Sequence, residues 1–297
     1  MTHSIFLGLI THPATRFSES SSSSGLLRSL ERDLSALGWA ATSSISAENL
    51  ADLSTVDMTP QAIQASVAAE FSIEERWLTY LHSDHVPRRA ALMLRLRSVV
   101  ARLRLSRMRV SSSYTRKAQE KRLVRLANIE VSHLALLREG LAADSDWVLI
   151  LEDDAVARDP QEFAHALDSH LRVWEDSPQP KYVNLSESFT LDKLGVEDLV
   201  SVVSQWDSRS RILQSTRPFT NTVCAILYRR AFLEDFLVAL DSMPLEPIVP
   251  IDWKVNEAIM RLHHERKLQA GDCYTVTPGV ILQTSMHRST SPRGTNG

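Results

Sequence analysis

The sequence predicts a single α/β domain, mainly because of the order of its first elements. Residues 4–12 are an apolar, β-branched run typical of a buried strand. A Leu-rich amphipathic helix is predicted at 26–37 and a second strand at 39–46. A strand–helix–strand unit of this kind begins an α/β sheet. Neither an internal repeat nor a linker is recognisable, so 1–284 is predicted to be one domain and 285–297 a polar tail.

The later elements follow from apolar periodicity and from residues that start or stop helices. Gly38 ends the first helix, and Pro60 and Pro160 stand at the start of two later ones. Helices are predicted at 60–82, 128–139, from 160 onward, 231–240 and 252–266, and strands at 146–151, 181–186, 199–206, 221–230 and 273–284.

Composition favours an ordinary soluble protein. The hydrophobic fraction is 43% and the charged fraction 23%, while a net charge of −3 favours no class of partner. Two cysteines, Cys224 and Cys273, are too few for a disulfide framework and suit a reducing compartment. The N-terminal residues do not resemble a signal peptide, and no apolar run is long enough to span a membrane, so a cytoplasmic location is expected.

Residues 88–125 are strongly basic, with thirteen Lys or Arg and one acid, Glu120. With the helix before them they are interpreted as a basic helical insertion over about 60–125. Three interpretations stay open: a solvated helix, a peripheral contact with an anionic membrane surface, and nucleic-acid binding. Aromatic residues are scarce here, so nucleic acid is not expected as a partner. The apolar stripe of this segment consists of Leu92, Leu96, Val99, Leu103 and Val110.

Three adjacent carboxylates, Glu152, Asp153 and Asp154, end the most apolar predicted strand. Side chains alternate along a strand, so Glu152 and Asp154 are predicted to share one side and Asp153 to face the other. Open α/β sheets bind ligands at this carboxyl edge, and oxygen ligands suit Mg²⁺ or Mn²⁺. One interpretation of the three acids is a site for a metal ion that binds a diphosphate, and the other is a solvated strand end. The uninterrupted apolar run before the acids favours the metal.

Three segments resemble glycosyltransferase family 25, which includes lipooligosaccharide and collagen galactosyltransferases. Residues 128–156, with the pair Ser132-His133 followed by the acids, resemble the family signature. Residues 219–237 resemble the strand-then-helix segment after the metal site, and residues 249–259 resemble the Pro-x-Asp-Trp element. These segments lie in the family's order and together span about half of the chain.

The resemblance implies a GT-A-like fold with a mostly parallel central sheet flanked by helices. It implies a nucleoside diphosphate sugar donor of the UDP or GDP type, with Mn²⁺ or Mg²⁺ bridging Glu152 and Asp154 to the diphosphate. The acceptor is expected to be a hydroxyl or thiol on a saccharide, a lipid-linked sugar or a small natural product. Transfer is expected to invert the anomeric centre, and the oligomeric state is left open.

Asp252 is the first candidate for the base that takes the acceptor's proton, and Glu257, about a turn later, is the second. The alternative for Asp252 is N-capping of its helix, for which aspartate is favoured. Asp153 is expected to bind the donor's ribose or a sugar hydroxyl, or else to face water.

Four further residues are candidates for donor binding. Arg16 follows the first strand, His133 belongs to the Ser-His pair, and Asn184 and Glu187 follow a strand at the same sheet edge. The alternative for His133 is a structural hydrogen bond, and for Asn184 and Glu187 it is ordinary turn chemistry. Tail residues considered for the diphosphate or the metal are His287, Arg288 and Arg293.

Two other functions remain open. Acids at strand ends also hold Mg²⁺ in phosphoryl-transfer and receiver-like proteins, but the first strand here ends in Thr11 and His12 and carries no acid. The third hypothesis is a non-enzymatic module that binds anionic partners through the basic helix.

Overall fold

The computed structural model describes residues 3–11, 22–46, 59–82, 113–187 and 190–283, and eight positions between 92 and 103. Within these residues, eight strands form one central sheet and two more pair in a small sheet. Helices pack on both faces of the central sheet. None of the described helices is long and apolar enough to cross a membrane.

The elements have the following bounds. The strands are β1 (Ser4–Ile10), β2 (Ala40–Ser46), β3 (Trp147–Glu152), β4 (Ala155–Ala157), β5 (Tyr182–Asn184), β6 (Val200–Gln205), β7 (Arg211–Ser215), β8 (Ala225–Arg229), β9 (Cys273–Thr277) and β10 (Ile281–Gln283). The helices are α1 (Ser22–Ala36), α2 (Pro60–His82), α3 (Ser113–Ala142), α4 (Pro160–Glu175), α5 (Leu191–Leu194), α6 (Arg230–Asp241) and α7 (Ile251–His264). A 3₁₀ turn spans Glu197–Leu199.

The central sheet is mixed, with the strand order β2-β1-β3-β8-β5-β9-β7-β6. Strand β1 pairs in parallel with β2 and β3, and β5 pairs in parallel with β9. Strand β8 lies between β3 and β5 and is antiparallel to both. The predicted α/β class with a helix-flanked sheet is therefore confirmed. This order also places the carboxyl ends of β1, β3 and β5 at the same edge as the start of β8.

Alternation along the buried strands gives the sheet two apolar faces. On one face, Ile5 and Leu7 of β1 lie in a core with Leu30 of α1. On the other face, Phe6 lies in a core with residues of α3, α6 and α7, including Val255. The sequence of β1 is apolar throughout because both faces are covered.

Helix α3 lies close against the second face because two glycines permit the approach. A Cβ atom at Gly8 would lie 2.7 Å from Ile150 and 3.3 Å from Leu136, and one at Gly140 would lie 2.8 Å from Val148. The C-terminal end of α3 therefore lies opposite the start of β3. The helix runs antiparallel to β3, and its earlier residues approach the edge where β3 ends.

The predicted insertion over 60–125 is helical wherever it is described. Helix α2 has the predicted bounds, and the described positions between 92 and 103 are also helical. The predicted helix 128–139 is the second half of the longer α3. The predicted start at 128 is wrong, because apolar periodicity gives no boundary signal inside a continuous helix. The polar tail 285–297 lies outside the described residues.

Candidate functional site

The acidic triplet lies at the carboxyl edge of the central sheet. Strand β3 is buried and ends at Glu152, which is in register with Ile10, the last residue of β1. Asp153 and Asp154 then form a turn that leads into β4. Strand alternation therefore ends at Glu152 and, contrary to the prediction from sequence, does not extend to Asp153 and Asp154. Glu152 and Asp154 nevertheless come together, because the turn folds Asp154 back into a position with 5% exposure.

Cys224 joins these two acids and was not among the predicted site residues. Potential ligand atoms of Glu152, Asp154 and Cys224 all lie within 4.8 Å of one another. The fully buried Cys224 thiol donates a hydrogen bond to Asp154 Oδ1 at 3.6 Å. Cys224 immediately precedes β8, and β8 is the antiparallel neighbour of β3. The sequence carries no local signal for that pairing.

Asp252 reaches the same edge from the first turn of α7. Its Oδ1 accepts a hydrogen bond of 2.9 Å from the backbone N–H of Val223, directly before Cys224. The alternative that Asp252 is an N-cap is wrong, because Pro250 holds the cap position and Asp252 lies inside the helix. A residue within the first turn can direct its side chain to another segment instead of capping its own helix.

The pKa values of Glu152 and Asp252 are both raised at this edge of the sheet. Burial raises the pKa of Glu152 well above its usual range, and the charges of Asp252, Asp154 and Asp153 add to that rise. The charge of Arg125 on α3 acts in the opposite direction on the pKa of Glu152. Burial also raises the pKa of Asp252 to about 6, against the lowering effect of the Val223 hydrogen bond.

Cys224 stays protonated in this environment. Burial raises the pKa of its thiol well above the ordinary value, and the charges of Glu152 and Asp154 raise it further. The donor set thus consists of crowded carboxylates whose mutual repulsion a cation would relieve. Two carboxylates in reach of one point suit an oxygen-loving divalent ion such as Mn²⁺ or Mg²⁺. The residues present therefore fit the metal that the sequence resemblance implies.

The raised pKa of Asp252 predicts how the metal-free protein responds to pH. A carboxyl whose pKa is raised on folding binds its proton more tightly in the native state, so its contribution to stability is lost as pH rises from about 4 through about 6. Asp252→Asn is expected to flatten this part of the stability curve and to be more stable than the wild type at pH 7. Urea unfolding between pH 4 and pH 8 with a chelator present measures it. Equal pH slopes for the two proteins would contradict the assignment.

Asn184 holds the backbone around this site. Its side-chain amide donates to Thr220 Oγ1 and to the carbonyl of Thr222, each at 3.0 Å, and its oxygen accepts from the N–H of Ser186. Asn256 of α7 holds the same segment, accepting from the N–H of Thr220 at 2.9 Å. These bonds fix the chain that carries Val223 and Cys224. The donor-binding role of Asn184 stays a prediction, and its described contacts are structural.

Glu187 and Glu257 lie in different surroundings. Glu187 accepts hydrogen bonds of 3.2 and 3.3 Å from Thr277 Oγ1, and burial raises its pKa. Glu257 forms an ion pair with Arg76 of α2, with Nη2 2.9 Å from Oε2. Asp252 is bonded to the segment that carries Cys224, whereas Glu257 is paired with α2. Asp252 stays the first candidate for the base.

His133 is fully buried in α3, one helical turn before Leu136 and hence nearer the edge where β3 ends. Among the described residues, neither of its ring nitrogens has a hydrogen-bond partner. Burial lowers the pKa of His133 to about 4, so the ring is neutral at pH 7. The structural hydrogen bond that is the alternative for His133 is thus not formed with any described residue.

His133→Leu is expected to stabilise the protein at acidic pH. A histidine whose pKa falls from 6.5 to about 4 on folding loses stability as pH drops through that window. The loss attributable to this residue is about 2 kcal/mol at pH 5 relative to pH 8. Leucine has a similar volume and no proton to bind. Denaturant unfolding at both pH values measures the difference, and a leucine variant with the same loss as the wild type would rule the explanation out.

The other predicted residues, Arg16, His287, Arg288 and Arg293, lie outside the described residues. Comparison with models of known protein families finds no match for this chain. Comparison with curated proteins also finds no match.

Proposed function

We propose that the chain is a metal-dependent glycosyltransferase with a GT-A-like fold, related to family 25. It transfers a sugar from a UDP- or GDP-type donor to a hydroxyl or thiol of a saccharide, a lipid-linked sugar or a small natural product. The observation that carries the proposal is the meeting of Glu152, Asp154 and Asp252 at the carboxyl edge of the sheet. These residues come from two of the three segments that resemble the family.

The location of the acids supports a ligand site. Open α/β sheets bind their ligands outside the carboxyl ends of the strands. Here the acids follow β3, and the antiparallel β8 begins beside them. Hydrogen bonds with Asn184 and Asn256 hold the segment before Val223, whose N–H in turn holds the Asp252 carboxylate.

Glu152 and Asp154 are the residues that would hold the ion. When bound, the ion supplies Lewis-acid stabilisation to the departing nucleoside diphosphate. The Cys224 thiol donates to Asp154 and so orients its carboxylate. Asp153, half-buried in the same turn, is proposed to contact the donor's ribose or a sugar hydroxyl.

Asp252 is proposed as the base of an inverting transfer. Its pKa of about 6 leaves it mainly ionised at pH 7, yet more basic than an ordinary aspartate. The hydrogen bond that its Oδ1 accepts from the Val223 N–H holds the carboxyl group in one orientation. It can then take the proton of the acceptor as the acceptor attacks the anomeric carbon.

Melting temperatures with candidate donors test the proposal. UDP, GDP, CDP and their common sugar conjugates are each added with and without Mn²⁺. A ligand that binds only the native state raises the melting temperature by mass action, by about 2.7 kcal/mol of stability at a hundredfold excess over Kd. One diphosphate series is expected to stabilise the protein only with Mn²⁺ present.

Two outcomes of this experiment would count against the proposal. Stabilisation by a diphosphate without any metal requirement would keep the transferase but remove the metal role of the acids. No stabilisation by any donor would favour a phosphoryl-transfer protein or a non-enzymatic binding module. The stabilisation is expected to vanish in Asp154→Asn and to persist in the matched control Asp235→Asn, which removes one carboxylate from a half-exposed position on α6.

A further inference from the structure

A group of large apolar side chains is exposed on the helical segment between 92 and 103, here called the apolar face. It consists of Leu92, Met93, Leu96, Val99 and Val100, and their exposed fractions range from 45% to 57%. Exposed apolar residues scattered singly are ordinary, but a contiguous exposed patch marks an interaction site.

The spacing of these residues places them on one side of a helix. At 100° per residue the five side chains fall within an arc of about 120°. Arg95 and Arg97 lie on the two borders of that arc. Basic side chains at the borders of an apolar stripe can extend their charged ends toward a polar boundary while their stems stay on apolar surface.

Arg97 fixes this segment to the domain. Its guanidinium forms an ion pair with Glu74 of α2, with Nη1 2.5 Å from Oε1, and lies 5.8 Å from the centre of the Phe71 ring. Helix α2 in turn packs against α7, which carries Asp252. The apolar face is therefore held on the domain rather than on a free extension of it.

The positive charge of the segment indicates that its partner is negatively charged. Residues 88–109 contain eight arginines and no aspartate or glutamate. Two copies of this segment face to face would bring like charges together, so self-association through it is disfavoured. A partner with a negatively charged surface and an apolar interior would complement both the arginines and the apolar face.

We propose that the apolar face docks on an anionic membrane surface. The five apolar side chains enter the boundary between headgroups and acyl chains, and Arg95, at the border opposite Arg97, contacts lipid phosphates. Binding is peripheral, and it is independent of the acid cluster.

Vesicle co-sedimentation of the full chain tests the proposal. Vesicles of phosphatidylcholine alone are compared with vesicles that also contain phosphatidylglycerol, at low salt and at about 0.5 M salt. The protein is expected to sediment with the anionic vesicles and to be released by salt. A Leu92→Ser, Leu96→Ser, Val99→Ser variant is expected to bind at least about tenfold more weakly, since it loses the buried apolar area.

Val173→Ser with Val238→Ser is the matched control, because these valines are exposed by 70% and 66% on other helices. The control variant is expected to bind like the wild type, and circular dichroism checks that all variants are folded. The proposal is overturned if the folded wild type fails to sediment with anionic vesicles, or if the serine variant binds as well as the control. It is also overturned if sedimentation velocity shows a wild-type dimer that the serine variant loses, or if only single-stranded RNA binds.

Discussion

Asp154→Asn is expected to abolish metal-dependent diphosphate binding while leaving the metal-free protein at least as stable as the wild type. Asp154 is 5% exposed and lies within 4.8 Å of a ligand atom of Glu152. Asparagine keeps the shape and can still accept the Cys224 hydrogen bond, but it removes a charge from a crowded cluster. Loss of partners outside the ligand shell costs 10–100-fold in metal affinity, so loss of a ligand is expected to cost more than about 100-fold.

Isothermal titration of Mn²⁺ with the best diphosphate measures this loss, and urea unfolding measures the stability. Asp235→Asn should behave like the wild type in both experiments, because Asp235 lies in an exposed ion pair with Lys267. Unchanged Mn²⁺ affinity in Asp154→Asn would remove the metal role from the cluster.

Lys254→Met is expected to cause the largest loss of stability among single changes near the site. Lys254 and Glu130 form an ion pair with Nζ 2.5 Å from Oε1, and each residue is 4% exposed. Lys254 also donates to the carbonyls of Pro244 and Leu245. Removing one partner of a buried pair leaves an uncompensated charge, which typically costs about 3–5 kcal/mol. This pair joins α3 to α7, two residues from Asp252.

Urea unfolding at pH 7 measures the effect, and two further variants separate its causes. A Glu130→Leu, Lys254→Met double variant should recover most of the stability, because both charges are then gone. Arg138→Met breaks the half-exposed ion pair with Asp241 and should cost much less. A Lys254→Met protein as stable as Arg138→Met would show that the buried pair does not hold the two helices together.

The local features of this fold were predictable from sequence because they depend on local patterns. The apolar run before Glu152 predicts a buried strand, and β3 has that position. Pro60 and Pro160 predict helix starts, and α2 and α4 begin at those residues. Each of these predictions depends on a few neighbouring residues.

The composition of the site was only partly predictable, because it depends on which strands pair. Cys224 joins the acids through the antiparallel pairing of β8 with β3, which no residue in either strand specifies. Asp252 was selected through a family resemblance, and its hydrogen bond to Val223 is a tertiary contact. The N-cap alternative failed for the same reason, because propensity gives no information on where a side chain finds its partner.

Electron paramagnetic resonance of Mn²⁺ tests the central claim most directly, because the signal of free Mn²⁺ is lost when the ion binds. The wild type is titrated with Mn²⁺ in the presence and absence of the diphosphate that stabilises it most. The expected result is one Mn²⁺ site per chain, tighter Mn²⁺ binding when the diphosphate is present, and an equal tightening of diphosphate binding by Mn²⁺. Mn²⁺ binding that is absent, or that does not respond to any nucleoside diphosphate, would contradict it.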